Sequence, residues 1–330
     1  MIDSHIPGRR SLLRAAGALC TGLALPARSQ GVSFPKGPVR IVLPLPAGGV
    51  ADASTRPLAT ELERIWKQPV VVENKPGGLF MIGMQAILQA PSDGHTLVYL
   101  YNSMASVQAV HKKFDLTRQL IPVTQVSSVP MVMLVPGKSR FKTLAELIAF
   151  GRQNPGKLNY CTLGQGSTEH LKSVQLERAA GFSATSVPFK SGPEMITSLI
   201  TGDIDFSLTA GSFGRTFAPK GQVRVLAIVD RQRWSEMPDV PTIAEAGVEL
   251  PPLTLWNGFA VRAETPAPIV QRLFEDLSAA ATAPKVREVL APLGFVPAVS
   301  RSPQDFLKMI VDDIAWMAGV AKDLNIEPEK

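Results

Sequence analysis

A chain of 330 residues, 45% of them in the hydrophobic set, has material for two cored domains and is not of disordered composition. The formal net charge is +6, yet no Lys/Arg run interleaved with aromatics appears, so nucleic acid is not an expected partner. No internal apolar run reaches bilayer length.

The chain begins with GRRSLLRAAG (Gly8 to Gly17), and the apolar stretch Leu12 to Leu25 is short and broken by Gly17 and Gly22. Residues 1–29 read as an export signal of twin-arginine type, cleaved after Ala27 or Ser29; a Sec signal that happens to carry Arg9 and Arg10 is the alternative. Its loss removes four arginines and one aspartate, which takes the net charge from +6 to +3. The periplasm is the expected location. Cys20 lies in the signal, where bulky Leu19 argues against lipidation. Cys161 then stands alone, which excludes an intramolecular disulfide in the mature chain and makes a buried structural thiol the plain reading.

After the signal, Val39 to Leu45 reads as a buried strand, Asp52 to Lys67 as a helix, Val70 to Glu73 as a strand, Ile82 to Gln89 as a helix and Thr96 to Leu100 as a strand. A second series begins near Val123: strand Val132 to Val135, helix Leu144 to Arg152, strand Leu158 to Cys161, helix Thr168 to Ala180, strand Ala184 to Pro188, helix Pro193 to Thr201 and strand Asp205 to Leu208. Val223 to Val229 is a further strand, Thr242 to Ala246 a short helix and Leu255 to Val261 an extended segment, with helices from Pro268 to the end. Alternating strands and helices imply an α/β fold of two lobes, each a mostly parallel sheet flanked by helices. Lobe 1 is expected over 31–124 plus 252–330, and lobe 2 over 125–251.

Ligands of open α/β sheets sit beyond the carboxyl ends of the strands. LPLPAGGVAD (Leu43 to Asp52) holds that place in lobe 1 and LNYCTLGQGSTEH (Leu158 to His170) in lobe 2; each runs strand, glycine turn, helix. A helix N-terminus offers unpaired N–H groups and partial positive charge, which suits an anion. Gly48, Gly49, Gly164 and Gly166 let the backbone come close. Neither loop has a Walker or dinucleotide spacing, and three scattered histidines, His95, His111 and His170, lack metal spacing. No cofactor or metal is expected.

Further stretches make the pattern specific: QPVVVENKPGG, APSDGHTLVY, VPFKSGPEMITSLITGDIDF, VRVLAIVD, MPDVPTIAEAG and LWNGFAVRAETPAP. With the two loops they cover nearly all of the mature chain, which resembles the Bug family, the solute receptors of tripartite tricarboxylate transporter systems. The resemblance implies a two-lobed periplasmic binding protein of type II-like architecture. It implies a carboxylate held by backbone N–H groups of Pro46 to Asp52 (with Ala47) and Gly164 to His170. Family members take dicarboxylates, acidic amino acids and aromatic acids, and hand them to membrane subunits. A monomer is implied, and no enzyme.

Each candidate has a plainer role beside the binding one. Asp52, Ser167 and Thr168 suit helix caps. His170 suits a structural hydrogen bond, and Lys190 a solvated face. Asn102 and Ser103, at the end of the third strand, are polar where a cleft is expected; Trp256 and Phe259 read as hinge packing. Departures from the family pattern bear on the ligand. Leu79-Phe80-Met81 replaces small residues, and Glu169 stands where a small polar residue is common, so a ligand with one carboxylate and an apolar or aromatic body is expected. Two rivals share these residues. Ser167, Glu169 and His170 are hydrolase residue types, but within one helical turn they cannot form a relay. A sensor kinase, in place of a transporter, would read the same lobe closure.

Overall fold

The structure, a computed structural model, describes residues 33–328; the export signal, its cleavage site and Cys20 lie outside the described residues. Strand β1 (Val39–Leu43) sends Val39, Ile41 and Leu43 to one side and Val42 to the other, all buried. In β3 (Thr96–Tyr101), Leu97 and Tyr99 face the first side and Val98 and Leu100 the second. Strands buried on both faces require a helical layer on each. The first layer is α1 (Val50–Trp66), α8 (Ala267–Thr282) and α9 (Pro284–Leu290). The second is α2 (Met81–Leu88), α3 (Asn102–His111) and the near end of α10 (Pro303–Asp323).

The sheet of this first lobe runs β2 (Val70–Asn74), β1, β3, β9 (Thr254–Arg262), β4 (Leu120–Pro136), β10 (Val296–Pro297). β2, β1 and β3 are parallel, whereas β9 joins β3 antiparallel and β4 joins β9 antiparallel. From Met131 to Pro136, β4 leaves β9 and pairs antiparallel with β7 (Ser207–Ala210) and β8 (Val223–Ile228). β5 (Leu158–Thr162) and β6 (Ala184–Pro188) are parallel, and a Tyr160–Phe206 bridge links β5 to the chain entering β7. Alternation decides the layers again. Met131, Met133 and Val135 pack with α4 (Leu144–Gln153) and α5 (Thr168–Ala180); Val132 and Leu134 pack with α6 (Gly192–Thr201) and α7 (Gly211–Phe217).

The two lobes therefore repeat one order, β2-β1-β3-β9-β4 and β6-β5-β7-β4-β8. Each parallel group is completed by a strand entering antiparallel from the other lobe, so both sheets are mixed. The chain crosses between lobes inside β4 and again at Leu253–Thr254. A third link is α10: Phe306 and Ile310 lie in a first-lobe core, while Met317, Val320 and Ala321 lie in a second-lobe core. Arg178 of α5 donates to the carbonyls of Asp323 and, at 2.7 Å, Leu324.

Some elements differ from the sequence expectation. Residues 102–111 form α3, although Asn102 and Ser103 read as the end of a strand. Val123 and Val132–Val135 belong to one 17-residue strand, because Pro122 and Pro130 sit where a bulge or a change of partner needs no N–H. Thr242–Ala246, expected as a short helix, is a turn, and α7 covers residues to which the sequence assigned no element. Cys161 is buried on β5, and burial pushes its thiol up to about 11.

Candidate functional site

A cavity of about 110 Å³ lies between the lobes, and its wall contains no lysine, arginine or histidine. Four helices of ten residues or more begin at it. α1 contributes Gly49, Val50 and Ala51, α3 contributes Asn102 and Ser103, α5 contributes Glu169, and α6 contributes Gly192 and Pro193. The second-lobe helices are capped by their own serines. Ser167 Oγ accepts the His170 N–H at 3.3 Å and Ser191 Oγ accepts the Glu194 N–H at 3.3 Å. The first-lobe helices are not, since their N-cap residues, Gly49 and Tyr101, make no side-chain cap. First-turn N–H groups of α1 and α3 are thus left for whatever occupies the cavity.

Of the residues expected at the site, the structure brings Pro46, Gly49, Asn102, Ser103 and Glu169 onto this wall. Ala47 and Gly48 are exposed and lie off it; Gly48, at φ +78°, supplies the left-handed turn before the helix. Asp52 is not the N-cap of α1 but the third residue of its first turn. It accepts the Gly48 N–H at 3.1 Å, Arg56 at 3.0 and 2.9 Å, and Asn74 Nδ2 at 3.1 Å. Burial pushes its pKa up, but Arg56, the Gly48 N–H and Asn74 outweigh this and hold it below the usual range. It fixes the loop and does not face the cavity.

Phe80 likewise stands off the wall. Left-handed backbone at Leu79 (φ 50°) and Phe80 (φ 72°) turns the ring into the core, edge-on to Tyr101 at 5.4 Å, and it is Tyr101 that lines the cavity. Leu79 reaches across the cleft mouth to Gly164, within 3.0 Å of where a Cβ would sit. Gly166 packs on Val110 and His111, and its N–H donates to His170 Nδ1 at 3.2 Å. Thr168 Oγ1 pairs with Ser106 Oγ at 2.7 Å, and Ser167 Oγ accepts the His170 N–H as a cap while also bonding Glu169. Lys190 is exposed and off the wall. Replacing Ser167 by alanine should lower stability by about 1 kcal/mol through loss of the cap. A urea melt checks this; an unchanged midpoint would remove the capping role.

Several wall residues had no local signature. Tyr99, Tyr101, Trp256, Asn257, Met195, Thr209 and Phe213 come from five elements that meet only in the folded chain. Trp256, read as hinge packing, both packs edge-on to Phe306 and lines the cavity; Phe259 is fully buried on the opposite face of β9, edge-on to Tyr99. Beneath the wall, Asp313 of α10 accepts Asn102 Nδ2 at 3.2 Å and Trp256 Nε1 at 2.5 Å, while Asn102 Oδ1 accepts the Trp256 N–H. A carboxylate 211 residues from Asn102 in sequence so fixes two wall residues. Burial pushes Asp313 above the usual carboxylate range, against the bonds from Trp256 and Asn102.

Glu169 is 6% exposed, and its Oε2 accepts Ser103 Oγ at 3.2 Å, a bond from the second lobe to the first. Burial pushes its pKa up, opposed by its own N–H, Ser103 and Ser167. The Tyr101 hydroxyl has no partner among the described residues, and burial keeps it neutral.

The family model described as "Tripartite tricarboxylate transporter family receptor" matches residues 54–326. The chain is similar to the "UPF0065 protein in tcbD-tcbE intergenic region" of Pseudomonas sp. (strain P51), 32% identical over 294 residues that cover 88% of this chain and 87% of the relative. Among solved structures, "R. palustris Rpa4515 with adipate" superposes with a TM-score of 0.85 at 27% identity, covering 90% of this chain and all of that one. "MatC (Rpa3494) from Rhodopseudomonas palustris with bound malate" superposes at 0.81 with 26% identity, covering 87% and 99%.

Proposed function

The chain belongs to the tripartite tricarboxylate transporter receptor family, and we propose that it works in the periplasm as a monomeric receptor delivering a small organic carboxylate to membrane subunits of a transporter. The observation that carries this is the pair of uncapped helix starts, α1 and α3, at the wall of a cavity without a cationic side chain. Backbone donors at a helix N-terminus stabilise an anion without the desolvation cost of a buried lysine or arginine. The adipate and malate in the similar structures are both carboxylates, which supports the same ligand chemistry here.

The carboxylate would sit against Gly49, Val50 and Ala51 and against Asn102 and Ser103, with the Tyr101 hydroxyl free to donate. The body of the ligand would meet Val50, Met195, Phe213 and Trp256. These apolar surfaces, and the acid of Glu169 facing a second anion, favour one carboxylate on an apolar or aromatic frame over a small dicarboxylate. Residues 31–124 with 252–330 and residues 125–251 would be the two bodies that close on it, with β4, the return at Leu253 and α10 as the links between them.

A thermal-shift screen of the mature protein against benzoate-like acids, aliphatic monocarboxylates and dicarboxylates tests this. A ligand binding only the folded state raises the melting temperature according to its concentration over Kd, by about 2.7 kcal/mol of stability at a hundredfold excess. A shift with the monocarboxylates is expected. Comparable binding of succinate or malate with none of the benzoate-like acids would overturn the ligand class, and no shift with any acid would overturn the receptor reading.

A further inference from the structure

A groove of about 710 Å³ lies at the end of the second lobe away from the carboxylate cavity, and Lys138, Arg140 and Lys220 line it. β4 passes the cavity at Val129 and reaches the groove at Pro136, while α6 starts at the cavity with Gly192 and ends at the groove with Thr201. The ten residues of that helix set the two about 15 Å apart. Lys142 Nζ and Arg224 Nη1 also come to the groove, since both donate at 3.4 Å to the carbonyl of Ser139 in its wall. The loop that carries these charges is held in place. Arg224 donates to the carbonyls of Gly137 at 3.1 Å and Phe141 at 2.9 Å, and the Gly137 N–H donates to the Gln222 carbonyl at 2.9 Å. A Cβ on Gly137 would overlap the Gly221 carbonyl, so glycine is what lets the two turns meet. The guanidinium of exposed Arg140 lies 3.7 Å from the centre of the Phe150 ring.

None of the five cations is in an ion pair among the described residues. The nearby acids are three and already engaged: Asp205 accepts the Asn159 N–H at 2.9 Å, Asp203 the Thr201 hydroxyl at 2.6 Å and Glu146 the Lys142 N–H at 2.6 Å. Cations gathered without counter-charge repel one another, and an anionic partner relieves this. What the wall lacks decides the kind of partner. Phe141 is buried and Pro136 and Ile200 are half-buried, so a protein would find no exposed apolar contact for the anchors that carry a protein interface. Phospholipid headgroups need none, and clusters of about four to eight Lys/Arg are what they attract. We propose that this pole of the second lobe docks the protein on the surface of an anionic phospholipid membrane, with the carboxylate cavity held clear of the contact. The proposal stands apart from the identity of the cavity's ligand.

Cosedimentation of the mature protein with vesicles tests this. At low salt it is expected to bind vesicles rich in phosphatidylglycerol and not vesicles of phosphatidylcholine, and salt should release it by screening the surface charge. Each cation at the surface is worth about fivefold, so Lys138→Gln, Arg140→Gln and Lys220→Gln together should weaken binding about a hundredfold. Arg224 stays in place because it holds the loop. Should the triple variant melt below the parent, Lys138→Gln with Lys220→Gln alone should still weaken binding about twentyfold. Lys112→Gln, Lys113→Gln and Arg118→Gln, which remove the same charge from the first lobe, should leave it nearly unchanged. No binding to the anionic vesicles at low salt, or equal binding to both kinds, overturns the proposal. So does equal weakening by the two triple variants, which would make net charge and not the groove responsible. Retention by polyglutamate without binding to vesicles overturns it in favour of an acidic protein segment.

Discussion

Asp313→Ala is expected to lower stability by roughly 2–4 kcal/mol and to weaken carboxylate binding with it. The side chain accepts from Trp256 Nε1 and from Asn102 Nδ2, and both donors belong to residues of the cavity wall. Its removal leaves two buried N–H donors without a partner, each costing about 1–3 kcal/mol, with part relieved by water because Asp313 is itself only half-buried. Trp256 would lose the contact that sets its ring, and Asn102, whose Oδ1 takes the Trp256 N–H, would lose its second anchor. Asp313→Asn keeps an acceptor and discards a charge that burial disfavours, so it should restore binding and most of the stability. Urea melts give the stability and calorimetry with a binding acid gives the affinity. An alanine variant that is destabilised but binds as well as the parent would show that Asp313 holds the fold and not the site.

That anchor illustrates what could be read from the chain and what could not. α5 spans Thr168–Ala180 as expected because both its ends are written locally: Ser167 accepts an N–H at one and Gly181, at φ +65°, closes the other. The α1 and α5 loops announced themselves by glycines set between a strand and a helix. α3 gave no such notice. Tyr101 makes no side-chain cap for it, and residues 102–107 are buried all round, so no apolar stripe at helical spacing marks it off from a buried strand. Asp52 looked like a cap because it precedes the apolar positions of α1, whereas Gly49 begins the helix and the aspartate ties the turn from within. Phe80, expected on the cleft wall, lies one layer behind it, since two successive left-handed residues point the ring inward. Tyr101, Trp256, Thr209 and Asp313 reach one cavity only through strand order and the C-terminal helix, relations that local patterns do not carry.

Replacing Lys172 with methionine is expected to stabilise the protein near neutral pH, and the gain should vanish in alkali. Lys172 lies on α5, fully buried, with Nζ 2.8 Å from the Pro251 carbonyl and 4.6 Å from the centre of the Trp316 ring. It thus joins the second lobe to the returning chain and to α10. No carboxylate pairs with it among the described residues, and burial pulls its pKa from 10.5 down to about 7. Between those values the unfolded chain holds a proton that the folded chain does not. Folding there releases a proton, so stability rises with pH across that window and is lowest at and below its foot. The full difference would be worth roughly 4 kcal/mol at neutral pH, partly offset by the Trp316 ring and the Pro251 carbonyl, which both favour the ammonium. A methionine of similar length fills the space without the charge, and replacing buried charges by apolar groups of like volume typically gains about 1–4 kcal/mol. We expect about 1–3 kcal/mol here, since the Pro251 carbonyl loses its donor. Melts of both proteins from about pH 6 to about pH 10 decide it: the difference should shrink as pH rises through the window of Lys172. A variant less stable at every pH would mean that the bond to Pro251 outweighs the cost of burial, and that Lys172 is a clamp on the hinge.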